Sequence, residues 1–167
     1  MQKIAYLGIL AFSLLILSSC EKDDICIAGD TPKLRIGFYD YNARENAKQP
    51  INLVILGMDK STLLNPMIPS DSNGFEVLIP LNPSQNNTAY YFVQNASLIN
   101  EVLSGDLEAL TFSYSIDPVY ISKACGYIAN YQELSIDRTI DPNWIKEISI
   151  ENASITDENQ IHVKIYF

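Results

Sequence analysis

The chain has 167 residues, with 20 acidic against 11 basic side chains, one histidine and a formal charge of −9 at pH 7. That length suits one domain with a substantial core. The acidic balance excludes nucleic-acid phosphates as partners and offers no electrostatic attraction to anionic lipid.

Lys3 precedes an apolar run from Ile4 to Leu17, which is followed by Ser18, Ser19 and Cys20. As a helix the run spans about 21 Å at about 1.5 Å per residue, short of the roughly 30 Å hydrocarbon core. A positive tip, an apolar middle, small residues and then cysteine read as a lipoprotein signal peptide over residues 1–19, cut just before Cys20. The Cys20 thiol then carries a thioether-linked diacylglycerol, and two or three acyl chains together anchor stably. An ordinary secretory signal that happens to contain a cysteine is the alternative. Cleavage removes 19 of the 167 residues, leaves 148, and moves the charge to −10 by removing one lysine. Next comes Glu21-Lys22-Asp23-Asp24, in which Lys22, Asp23 and Asp24 resemble the export signal that sends Bacteroidota lipoproteins to the outer face of the outer membrane. A solvated tether is the plainer reading, and a periplasmic-facing domain the alternative address. Residues 20–32 read as lipidated cysteine and acidic tether, and residues 33–167 as one domain. With so acidic a body, the acyl chains alone are expected to form the membrane link.

With Cys20 taken by lipid, Cys26 and Cys125 remain. Beyond the inner membrane, an even remainder reads as one disulfide stapling the start of the domain to a late strand, with two buried free thiols as the alternative.

The rest of the chain reads as β-structure. Leu34, Ile36 and Phe38 alternate with Lys33, Arg35 and Tyr39, the period of a strand with one buried face. Ile51 to Leu56 is apolar on both faces apart from Asn52 and suits a well-covered central strand. Phe75, Val77, Ile79 and Leu81 alternate, and Thr88 to Val93 is rich in aromatic and β-branched residues. Ser97 to Ser104 is the one helical candidate, with Leu98, Ile99, Val102 and Leu103 on a face, Ser97 as cap and Gly105 as stop; a strand is the other reading. Leu110, Phe112, Tyr114 and Ile116 alternate again, Cys125 to Tyr131 is β-rich, and Ile161, Val163, Ile165 and Phe167 point inward with His162, Lys164 and Tyr166 outward. Asn65-Pro66, Ser72-Asn73-Gly74, Asn82-Pro83, Asp117-Pro118 and Asp141-Pro142 read as turns. About eight short strands spaced this way predict an all-β antiparallel β-sandwich, immunoglobulin-like or similar.

Candidate chemistry is sparse. His162 lies on the polar phase of the last strand and reads as a solvated surface residue, with no Gly-x-Ser-x-Gly elbow to partner it. Histidine and thiolate cannot supply the three or four ligands zinc needs, so no metal or cofactor is expected. Aligning Gly74 with the sixth position of a calcium loop puts Pro69 and Pro80 where acids belong, so Asp71-Ser72-Asn73-Gly74 reads as a tight turn. Asp106, Glu108, Asp117 and Glu133 are the carboxylates a hydrolase could pair, though their spacing selects no pair. Tyr39, Tyr41, Tyr90, Tyr91, Tyr120, Tyr127, Tyr131 and Trp144 could line a stacking platform, against the simpler reading that tyrosine suits half-buried strand positions.

Taken together, Cys20-Glu21-Lys22-Asp23-Asp24-Ile25-Cys26, Thr31-Pro32-Lys33-Leu34, Ile79-Pro80-Leu81-Asn82, Ser122-Lys123-Ala124-Cys125-Gly126-Tyr127 and the ending Ile161 to Phe167 resemble an uncharacterised family of Bacteroidota cell-envelope lipoproteins, a domain of unknown function. The resemblance spans the mature chain and implies a small envelope lipoprotein with no assigned activity. The expectation is a non-catalytic binding or accessory module on the outer membrane, attached through covalent lipid, with an envelope protein or glycan as partner. A carbohydrate-binding sandwich and a carboxylate-based hydrolase are the competing readings.

Overall fold

The computed structural model describes Cys26, residues 29–58, the backbone of 63–68, and residues 75–99, 102–138 and 143–167. The leader, Cys20, the Lys22-Asp23-Asp24 segment and the turns at 71–74 and 141–142 lie outside the described residues. Among the described residues the fold is all-β, with nine strands: β1 (Leu34–Tyr39), β2 (Leu53–Gly57), β3 (Leu63–Ile68), β4 (Glu76–Ile79), β5 (Asn87–Ile99), β6 (Val102–Ser122), β7 (Gly126–Arg138), β8 (Glu147–Ile150) and β9 (Val163–Tyr166). They form a four-stranded sheet ordered β4-β1-β9-β8 and a five-stranded sheet ordered β3-β2-β5-β6-β7. Every pairing is antiparallel except β1–β9, which runs parallel.

The alternation read from the sequence supplies the core. Leu34, Ile36, Phe38, Val163 and Ile165 from the first sheet meet Leu53, Ile55, Tyr90, Phe92, Leu110 and Phe112 from the second, so the two sheets bury one shared interior. Rings at its centre pack edge-on or tilted, as at Tyr114–Tyr131, whose centroids are 4.8 Å apart. Where the chain crosses from β4 to β5, three tyrosine hydroxyls hold successive backbone carbonyls. Tyr90 donates to Pro80, Tyr131 to Leu81 at 3.0 Å and Tyr114 to Asn82 at 3.0 Å. Asn82-Pro83 is the expected turn, closed by Ser84 N–H donating to Asn82 Oδ1 at 2.9 Å.

Four local readings are corrected. Ser97–Ser104 is no helix but the end of the β5–β6 hairpin, pairing Ser97 with Ser104, Leu98 with Leu103 and Ile99 with Val102. The spacing that stacks these residues on one helical face also sets them opposite one another when the chain reverses between Ile99 and Val102. Gly105 is no helix stop. It faces a bulge at Asn95 (φ 53°), with φ of 154°, and a Cβ there would lie 2.6 Å from Gln94 O. Asn65-Pro66 lies inside β3, which sits at a sheet edge, and the β2–β3 register shifts there. Asp117-Pro118 lies inside β6, beyond the residues that pair with β5, so the missing proline N–H interrupts no two-sided ladder. Nearby, Ile51 and Asn52 form a turn before β2, and their carbonyls accept from Asn95 and Ala96 N–H.

Phe112 is fully buried at the centre of the interior. Phe112→Ala is expected to lower the unfolding free energy by about 3–5 kcal/mol. Leu98→Ser, at a side chain 63% exposed, is expected to change it by less than about 0.5 kcal/mol. Urea unfolding of both variants checks the contrast.

Candidate functional site

Strand β6 reaches both ends of the second sheet and builds a different hairpin at each. At one end its last residues pair with the start of β7, matching Val119 with Ile128, Tyr120 with Tyr127 and Ser122 with Gly126. Gly126 takes φ of 68°, a left-handed turn position that glycine adopts without strain, and Cys125 N–H donates to Ser122 Oγ at 3.1 Å. Tyr120 and Tyr127 are 55% and 70% exposed, and their rings meet edge-to-face at 5.3 Å. From Pro118 to Ala129 there is no acidic residue, and Lys123 is the one charge.

Two ties hold the N-terminal segment to this hairpin. Cys26 and Cys125 form a disulfide with Cα atoms 4.9 Å apart. Farther along, Ala129 N–H donates to Thr31 Oγ1 at 3.1 Å. Both contacts advance in the same chain direction, so the segment enters at the hairpin tip and runs inward beside β7. At the opposite end of β6, Leu98, Ile99 and Val102 stand 63–65% exposed.

The residues that sequence reading offered for catalysis are occupied structurally. His162 is fully buried, not solvated. Nearby, Glu158 accepts from Lys33 N–H at 2.9 Å through its carboxylate and from Arg35 Nη1 at 2.7 Å through its carbonyl. The imidazole Nδ1 accepts the Arg35 backbone N–H at 3.0 Å, and His162 N–H returns a bond to Arg35 O at 2.9 Å. A side chain thus stands in for a backbone acceptor where the parallel β1–β9 ladder begins. Burial pushes the imidazole pKa down, against the opposing pull of Asp157. Tyr166 faces outward as expected but is covered, with Tyr39 5.8 Å away and the Arg44 guanidinium 4.9 Å above its ring.

The four carboxylates go to separate tasks. Glu108 is fully buried, and its Oε1 accepts the N–H groups of Asn143 at 2.6 Å and Ile145 at 3.1 Å, fixing the chain beside Trp144. Asp106 accepts from Asn95 Nδ2 at 2.7 Å, while Asp117 and Glu133 are exposed, the latter at a positive φ of 57°. The tyrosines likewise divide. Tyr90, Tyr131 and Trp144 are core residues, Tyr39 and Tyr91 are half-buried, and Tyr41 sits beside Arg44 away from the Tyr120–Tyr127 pair. Burial pushes the Tyr90 and Tyr131 phenols up to about 12 and raises that of Tyr114. Among the described residues no group of three or more His, Cys, Asp or Glu side chains could hold a metal ion. No helix among them is long and apolar enough to cross a membrane.

Sequence reading named Tyr120 and Tyr127 within a wider stacking platform and Leu98, Ile99 and Val102 within a helical face, but not their pairing across two exposed hairpin ends. A turn over Lys123-Ala124-Cys125-Gly126, flanked by β-rich runs, carried the signal for the first pairing.

The chain belongs to a family of unknown function (DUF6452), whose model matches residues 52–167. No curated protein and no solved structure matches it. The matched span holds Cys125 and both projecting hairpins, whereas Cys26, Thr31 and β1 precede it.

Two measurements follow from this geometry. Closing the loop across the 99-residue separation of the disulfide stabilises the fold by about 4–5 kcal/mol in the chain-entropy model. Cys125→Ser is expected to shift the urea midpoint by that equivalent, and an unchanged midpoint would contradict the staple. For His162, the unfolded chain takes up the imidazole proton more readily than the folded one, so stability falls as pH drops below its ordinary value of 6.5. His162→Asn keeps an acceptor for Arg35 N–H but does not titrate. In that variant the loss of stability between about pH 7 and about pH 5.5 should disappear.

Proposed function

We propose that this chain is a lipid-anchored, non-catalytic binding or accessory module of the cell envelope, hung from the outer membrane through Cys20. The observation that supports the reading is the doubly tied N-terminal segment, because fixing Cys26 and Thr31 to the domain leaves only the short stretch from Cys20 to Cys26 as a strap. Five residues lie between Cys20 and Cys26, so the six steps from one to the other reach at most about 22 Å at 3.3–3.6 Å per residue. A lipid on Cys20 therefore holds the domain by one named end, and the rest of the surface is left free for a partner. Lys22, Asp23 and Asp24 lie within that strap and are read as the signal for the outer face of the outer membrane.

The non-catalytic part of the reading rests on how the polar groups are used. A buried imidazole with Nδ1 bonded to a strand and a buried carboxylate with Oε1 bonded to two backbone N–H groups are positioned for architecture. An envelope protein or a glycan is the partner class this surface is left to serve.

Intact-mass measurement of the protein extracted from membranes should give a chain that starts at Cys20 and carries acyl glycerol. Cys20→Ala should abolish the lipid mass and leave the protein out of the membrane fraction. A retained leader or an unmodified start would overturn the anchor, and protease shaving of intact cells reads which face the domain occupies.

A further inference from the structure

We propose that the β6–β7 hairpin tip is itself a membrane contact, with Tyr120 and Tyr127 seated among the lipid headgroups. This inference rests on the anchor reading for its direction and adds to it a second, non-covalent contact. It revises the expectation that the acyl chains alone meet the bilayer.

Three observations carry it. The first is reach. Cys26 is joined to Cys125 with Cα atoms 4.9 Å apart, and Tyr127 lies two residues farther on. The strap from Cys20 to Cys26 can extend at most about 22 Å, so the tip stays close to the bilayer however the domain leans. The far hairpin lies 20 residues away along β6, from Ser122 to Val102, about 65 Å at 3.3 Å per residue. It reaches the same bilayer only if the whole domain lies flat.

The second is chemistry. Tyrosine carries an apolar ring with a polar hydroxyl, the combination found at the level of lipid headgroups. Tyr120 and Tyr127 are the two most exposed tyrosines among the core and exposed residues of the fold, and they face the same side of the hairpin as a cross-strand pair. The third is charge. On a chain of net charge −9, Pro118 to Ala129 carries no acid and offers the exposed Lys123, while the strap joined to it brings Glu21, Asp23 and Asp24 against Lys22, so the hairpin itself rather than the strap is the part that anionic lipid does not repel.

The test separates the tip from the anchor. The chain beginning at residue 20 is coupled through its free Cys20 thiol to a maleimide-bearing phosphatidylethanolamine. The vesicles contain phosphatidylethanolamine and phosphatidylglycerol, with or without brominated acyl chains. Tyr127→Trp and Leu98→Trp serve as reporters, with the Trp144 emission of the parent subtracted. Brominated lipid should quench and vesicles should blue-shift Tyr127→Trp, leaving Leu98→Trp unchanged. Unquenched emission from Tyr127→Trp, or quenching of Leu98→Trp in its place, overturns the inference even with the chain fully coupled. Photo-crosslinking from position 120 in intact cells that captures an envelope protein rather than lipid also overturns it. Because the coupling is chemical, the result does not depend on native acylation, which the intact-mass measurement decides separately.

Discussion

The constraint from which the rest of the molecule follows is a mismatch of lengths between its two sheets. Strand β6 has 21 residues, whereas the strands of the opposing sheet have four to six. At about 3.3 Å per residue that is about 70 Å of strand beneath a cover of about 13–20 Å. Only Leu110 to Ser113 pairs with both β5 and β7, so β6 changes partners near its middle and projects as a two-stranded hairpin at each end. An isolated hairpin is marginal in water, and both projections need reinforcement. One receives a disulfide and a bonded strap. The other receives a bulge and a small apolar cluster of Val54, Val93 and Ala96 on the sheet's outer face.

The covered middle of the sandwich, by contrast, pairs several of its backbone polar groups with buried side chains. Three tyrosine hydroxyls bind the carbonyls of Pro80, Leu81 and Asn82, where the chain passes from one sheet to the other. Burying a carbonyl without a donor would cost about 1–3 kcal/mol, so these phenols act as fixed structural donors. A phenol is protonated at physiological pH at its ordinary pKa of 10, and burial raises Tyr90 and Tyr131 further. Glu108 and His162 do the complementary job as acceptors, one for the approach to β8 and one for the start of the β1–β9 ladder. Glu108 and His162 thus each serve backbone donors through one atom, and among the described residues the two hairpin ends carry the most exposed of the large apolar side chains.

Much of this was legible in the sequence, and the failures share a cause. Strand β1, the segment at Val77 and Ile79 and strand β9 have one covered face and one facing outward, so period-two alternation identifies them directly. Cysteine counting pointed to the staple because, with Cys20 read as the lipidation site, two thiols were left to pair, and Cys26 and Cys125 do so. Asn65-Pro66 and Asp117-Pro118 misled because proline breaks only a ladder that needs its N–H, and both lie where a neighbouring strand is missing. Ser97–Ser104 misled because a short apolar cluster has the same spacing on a helix and across a tight reversal. His162 was misjudged because alternation gives the direction of a side chain but not what folds over it. Glu158, which bonds to Lys33 and Arg35 nearby, lies in an irregular segment with no periodic signature.

Reinforcing one hairpin with the N-terminal segment has a consequence for how binding energy divides. On the proposed anchor, two or three acyl chains would themselves supply stable membrane affinity, so a pair of tyrosines at the tip would add little to whether the protein is held. What a second contact changes is orientation. A domain on one flexible point samples every tilt, and a contact beside the point of attachment removes that freedom at small entropic cost, because the tie has already been made covalently. On that proposal the disulfide would keep the two contacts adjacent, since without Cys26–Cys125 the first tie after Cys20 would be the Thr31 hydrogen bond, five residues farther along. A longer tether lowers effective concentration, so the staple would then act on membrane geometry as well as on folding.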